Sequence, residues 1–142
     1  MAKNNQNGFN EKVEDYSRKI SKLLDIEDAT AQEVKDALTS IEKFMKLINN
    51  EKRDDRVKTH QVRTIFSLIK NGKSEKELNL IIPRLKYIGA RQKGKSGRFI
   101  VDLLEALIDE INKSDKDKET LIKGLIYIME SIVAYHKFYV KE

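Results

Sequence analysis

Residues 58–98 read KTHQVRTIFSLIKNGKSEKELNLIIPRLKYIGARQKGKSGR. Two readings of this stretch lead to two different folds. Its segment Gly89–Ser96, GARQKGKS, matches the phosphate-binding pattern G-x-x-x-x-G-K-[ST] letter for letter. Such a loop needs a buried parallel strand before it and a helix straight after it, so that backbone N–H groups cradle the phosphates. The other reading follows the apolar spacing. Val62, Ile65, Phe66 and Ile69 recur at three and four residues, and so do Leu78, Ile81, Ile82, Leu85 and Ile88. That is the period of a helix face turned to a core. The segment PRLKYI, just ahead of the glycines, thus has helical spacing. Gly97 interrupts the point where the P-loop helix should begin. Asp102, after Phe99-Ile100-Val101, imitates the acid of a nucleotide site but lies too close for a neighbouring parallel strand, whose crossover takes a dozen or more residues. The spacing decides for helices, and a nucleotide-hydrolysing site at Gly89–Ser96 is kept only as a minor alternative.

The punctuation within the stretch agrees. Thr59 is the expected N-cap of one helix, which ends at Asn71-Gly72, a good left-handed C-cap pair. Ser74 with Glu77 makes a capping box. Pro83 is expected to open a new helical segment at its first position, where no N–H is needed. The pair Thr59–Lys70 and Ser74–Arg91, joined by a short Gly-containing turn, also suits a DNA-binding helix-turn-helix, although a Pro-interrupted second helix makes a poor recognition helix.

Outward from this stretch the helical period continues. A first helix is expected over about Phe9 to Leu24, with the stripe Phe9, Val13, Tyr16, Ile20 and Leu23, behind a polar, frayed segment Met1 to Gly8. Thr30 and Glu33 form a capping box for a second helix reaching about Asn49, with Val34, Leu38, Ile41, Met45 and Ile48 on one face. Both stripes resemble short coiled-coil seams, and packing against each other is preferred to packing on a second copy. Asn49 to Asp55 reads as a polar linker. A further helix is expected over about Phe99 to Asn112, and a last one, the most apolar, from about Glu119 to Tyr139. A helix apolar around so much of its circumference is central or covered on two sides. The expected fold is all-α, a compact bundle of about five to six helices in one domain of residues 1–142.

Composition narrows the chemistry. The 142 residues contain no Cys, so disulfides, thiolate metal sites and cysteine nucleophiles are excluded. The two histidines show no metal-ligand spacing, and no Gly-x-Ser-x-Gly elbow occurs. No cofactor is called for. No apolar run approaches a membrane span, and MAKNNQNGFN lacks the apolar core of a secretory signal, so the cytoplasm is the expected compartment.

Charge is the strongest functional signal. From Lys52 to Arg98 there are 14 Lys and Arg against four acids, a net of +10. The residues before it carry −2 and those after it −3, which leaves the chain at +5. Concentrated positive charge attracts polyanions, nucleic acid above all. The start of the third helix, with Lys58, Gln61 and Arg63 beside a hydroxyl and orphan N–H groups, suits a phosphate, although an ordinary solvated helix start looks the same. Tyr87 could stack on a base or sit half-buried with its hydroxyl out.

Three motifs resemble one family. Lys58-Thr59-His60-Gln61-Val62-Arg63-Thr64-Ile65-Phe66, then Leu80-Ile81-Ile82-Pro83-Arg84-Leu85-Lys86-Tyr87 with Gly89-Ala90-Arg91, then Val133-Ala134-Tyr135-His136-Lys137-Phe138-Tyr139 are similar, in order and spacing, to the small subunit of type III-A (Csm) CRISPR effector complexes. His60 departs from the pattern, where a small hydroxyl residue is commoner. The resemblance covers Lys58 to the end. It implies a small helical bundle without a catalytic site. Several copies would stack as a filament along the duplex of crRNA and target RNA, beside other Csm subunits, and a free copy could pair as a homodimer. By matching position it makes Lys58, Gln61, Arg63, Arg84, Arg91 and Lys137 the RNA-contact candidates. Lys86, Lys93, Lys95 and Arg98 join them on charge alone.

Overall fold

The structure is a computed structural model and describes residues 14–142. Among these residues every regular element is a helix. Helix α1 is seen over residues 14–20 and tightens into a 3-10 turn, Ser21–Asp25. The expected stripe residues Phe9 and Val13 lie outside the described residues. Then follow α2 (Ala31–Ile48), a 3-10 turn (Arg53–Asp55), α3 (Thr59–Asn71), α4 (Glu75–Leu80), α5 (Ile82–Ala90), α6 (Ser96–Lys113) and α7 (Lys118–Tyr139).

The apolar stripes meet as their spacing demands. Helix α7 is central: α2, α3, α6 and the Ser21–Asp25 turn all pack on it. Its Leu125, Ile128, Met129 and Ile132 are sealed from solvent, as are Ile20, Ile41, Ile65, Ile69 and Leu104 from the surrounding elements. Consecutive Leu23 and Leu24 of the 3-10 turn are both buried. The first two stripes pack together, with the Tyr16 and Phe44 rings edge to face at 5.7 Å and Phe44 on Phe99 at the same distance. Helices α4 and α5 lie on α6.

Local chemistry sets the boundaries, with four corrections. The Thr30–Glu33 box forms in full: Glu33 N–H donates to Thr30 Oγ1 at 3.1 Å, and Thr30 N–H to Glu33 Oε1 at 2.9 Å. At Ser74 only half of the expected box forms, since Glu77 Oε2 takes the N–H of Lys73, one residue earlier. The N-cap of α3 is Lys58 rather than Thr59, because Gln61 Oε1 reaches back to the Lys58 N–H at 2.8 Å. Gly72 ends α3 as expected but with φ −81°, not in the left-handed region. Its lack of a side chain serves packing instead, since a Cβ there would stand 2.7 Å from Leu78 Cδ2. Pro83 takes the second position of α5, behind Ile82. Its missing N–H breaks the helix at Ile81, so the segment expected after Ser74 is split into α4 and α5. A six-residue α4 leaves no continuous recognition helix for the helix-turn-helix reading.

Candidate nucleic-acid interface

Four segments converge at one end of the bundle: the end of α2, the starts of α3 and α6, and the end of α7. Val57 joins three of them. Its N–H donates to Ser96 Oγ at 2.9 Å and its carbonyl pairs with His136 Nε2 at 2.8 Å, with its side chain fully buried. Arg56, beside it, donates Nε to Glu51 O (2.9 Å), Nη2 to Asn49 O (2.7 Å) and Nη1 to Lys141 O (2.8 Å). Asn49 completes the clasp: its Nδ2 donates to Tyr139 O at 2.7 Å, and its Oδ1 accepts from Lys141 N–H at 3.0 Å. The stretch read as a polar linker is therefore the anchorage of the chain beyond α7.

The loop between α5 and α6 occupies the same end. Glu51 accepts the backbone N–H groups of Lys95 (2.7 Å) and Ser96 (3.1 Å) through its two carboxylate oxygens. Helix α6 starts at Ser96, earlier than expected, and Gly97 is helical rather than an interruption. What separates GARQKGKS from a P-loop is thus the element ahead of it, helix α5 where a strand is required. The loop N–H groups hold the chain's own carboxylate, and the Ser96 hydroxyl is engaged with Val57.

A carboxylate also sits at the start of α3. Glu142 accepts the Thr59 N–H, and its hydrogen bonds to Thr59 hold its carboxyl below the ordinary range. The Lys58 N–H is taken by Gln61 Oε1, the Gln61 N–H by Lys58 O at 3.0 Å, and Lys58 Nζ rests on Arg53 O at 2.6 Å, so several of the N–H groups expected to be orphans here have partners within the chain.

The candidate contact residues fall into two groups. Lys58 and Gln61 are half-buried at the start of α3, Arg63 is exposed one turn on, and Lys93, Lys95, Arg98 and Lys137 are exposed on the facing loop, α6 and α7. Arg84, Lys86 and Arg91 line the exposed side of α5. Lys86 is paired with Glu105 of α6 at 3.0 Å.

The sequence from residue 8 to residue 142 matches the family model Csm2 Type III-A. The chain belongs to the Csm2 family. No curated protein and no solved structure matches it. Family membership makes it a small subunit of a type III-A (Csm) CRISPR effector complex, working beside other Csm subunits. The match extends the likeness over residues 8–57, ahead of the three motifs, and none of the described helices of this Csm2-family chain is long and apolar enough to cross a membrane.

The third motif, at the end of α7, contains a buried residue that was not among the contact candidates. His136 is buried, and its Nδ1 has no hydrogen-bond partner. It stands four residues after buried Ile132 and seven after Met129, so helical spacing alone could have placed it on the inner stripe. Burial pushes its pKa down, against the upward pull of the Val57 carbonyl and the Glu142 carboxylate; Lys137 adds a further downward push. Above about pH 6.5 neither the folded nor the unfolded chain protonates this imidazole, and its contribution to stability is whole. As pH falls below that value the unfolded chain takes the proton first, so stability is lost until the folded value is passed. His136→Gln is expected to flatten the dependence of unfolding free energy on pH between neutrality and mild acid. Equal slopes for variant and wild type would refute this.

Arg56, Asn49 and Glu51 carried no sequence signal at all. Each acts on partners far along the chain or through backbone atoms, which no side-chain pattern reveals.

Proposed function

We propose that this small subunit is non-catalytic and binds RNA. Its one helical domain lies along the crRNA–target duplex in the cytoplasm, with further copies stacked beside it as a filament. It meets the sugar-phosphate backbone through Lys58, Gln61, Arg63 and Lys137 at the junction of α3 and α7. Lys93, Lys95 and Arg98 act at the start of α6, and Arg84, Lys86 and Arg91 along α5. Guide pairing reads the sequence, so these contacts are sequence-neutral.

The observation that supports this most is the disposition of charge. The excess of +10 lies in residues 52–98, and two carboxylates at the basic end, Glu51 and Glu142, are engaged with backbone N–H groups. The cations Arg63, Arg84, Arg91 and Lys137 are exposed.

Arg63→Ala and Lys137→Ala are each expected to weaken binding to RNAs of unrelated sequence by the same factor. Each should lower the slope of log affinity against log salt by about one, the signature of a lost phosphate contact. Thermal unfolding should be unchanged, since both side chains project into water. Affinity loss that tracks loss of stability, or that depends on RNA sequence, would overturn the proposal.

A further inference from the structure

The contacts proposed above are all polar or charged, and none uses a ring. Among the described residues three large apolar side chains stand mostly in water: Leu80 at 65%, Tyr87 at 64% and Phe138 at 80% exposure. Phe138 leans its edge on Tyr139 at 4.8 Å, and nothing beyond that says what covers it. Tyr87 has a more defined setting. Arg84 and Tyr87 of α5 and Arg91, which caps its C-terminus with near-helical backbone, are spaced by three and four residues, which sets them along one side of the helix. Leu85 anchors the opposite face in the core. The Arg91 guanidinium lies over the Tyr87 ring, 5.6 Å from its centroid.

This pairing has a particular chemical capacity. A guanidinium held over a ring by cation–π attraction still has N–H groups to offer a phosphate. An exposed phenol presents a flat π-face of the kind nucleobases stack on. A base within a duplex is already covered above and below by its neighbours, so only an unpaired, terminal or bulged base can reach such a ring. A protein partner fits less well, because covering Tyr87 would also strip water from two guanidiniums.

We infer that Tyr87, Arg91 and Arg84 form a nucleotide subsite, in which the Tyr87 ring stacks on one unpaired RNA base and the two arginines hold the phosphates beside it. This rests on the RNA-binding reading and adds to it a contact that single-stranded RNA makes and a closed duplex does not.

The test uses the full chain, a short single-stranded RNA carrying one 2-aminopurine, and the same RNA annealed to its complement. Wild type is expected to change the fluorescence of the single strand. Tyr87→Ala should remove that change and weaken single-strand binding by about fivefold or more, while leaving duplex binding unaltered. Tyr87→Phe should behave as wild type, since the ring and not the hydroxyl does the stacking. Arg63→Ala should weaken both RNAs alike. If Tyr87→Ala binds the single strand as wild type does, the subsite is wrong and the backbone reading stands. If wild type binds neither RNA, both fall. If Tyr87→Ala leaves RNA binding intact but loses co-assembly with other Csm subunits, the ring docks protein and the inference is overturned. An unchanged melting temperature in each variant separates these outcomes from misfolding.

Discussion

Gly124→Ala is expected to destabilise the protein by about 2 kcal/mol or more, although alanine is the better helix former by about 1 kcal/mol. The two effects oppose each other, and sterics decide. Gly124 lies within α7 where that helix crosses the Ser21–Asp25 turn. An added Cβ would stand 2.5 Å from the Leu23 carbonyl oxygen and 2.7 Å from the Leu24 carbonyl carbon, with the Leu24 oxygen closer still. All three are backbone atoms, so no rotamer change relieves the clash. Leu23 and Leu24 are buried beneath the helix, and moving the turn would pull both from the core. Urea denaturation of the variant checks this. Stability at or above wild type would show that the two backbones can part at no cost, against the packing described here.

Arg56→Ala is the second large effect expected, a loss of about 2–3 kcal/mol. Its three nitrogens each donate to a backbone carbonyl, in two parts of the chain: Asn49 and Glu51 after α2, and Lys141 after α7. Their loss also loosens the residues that place Glu142 on the start of α3. Arg56→Lys should lose nearly as much, because one ammonium cannot span carbonyls that a planar fork bridges. Hydrogen exchange adds a local reading: the amides of Val140 and Lys141 should lose protection in both variants. A lysine variant as stable as wild type would show that only the charge matters.

These two residues mark the limit of what the chain's pattern discloses. The helices were legible because burial imposes a period, and that period survives in Val62, Ile65 and Ile69 or in Leu121, Leu125, Met129 and Ile132. The Thr30 cap was legible because both partners are three residues apart. The start of α6 was placed too late for the opposite reason. KGKSGR contains no local cap of its own, and its orphan N–H groups are satisfied by Glu51, more than forty residues earlier. Arg56 looks like any of the 28 Lys and Arg until the fold brings Lys141 to it. The three motifs pointed to the family from sequence alone, and the family match bears that out. The engagement of Glu51 and Glu142 with backbone N–H groups, beside cations that stay exposed, needed the structure.

The central place of α7 bears on how the chain is made. It follows every other described helix in the order of synthesis, yet α2, α3, α6 and the Ser21–Asp25 turn all close upon it. At 5–20 residues per second its 22 residues take roughly 1–4 s to emerge from the ribosome. Through that interval α2 can pack on the Ser21–Asp25 turn, and α4 and α5 on α6, but the faces of α2, α3 and α6 that meet α7 stand open. A message cut short before Lys118 is expected to yield a sticky chain, prey to proteases and aggregation, rather than a smaller working subunit.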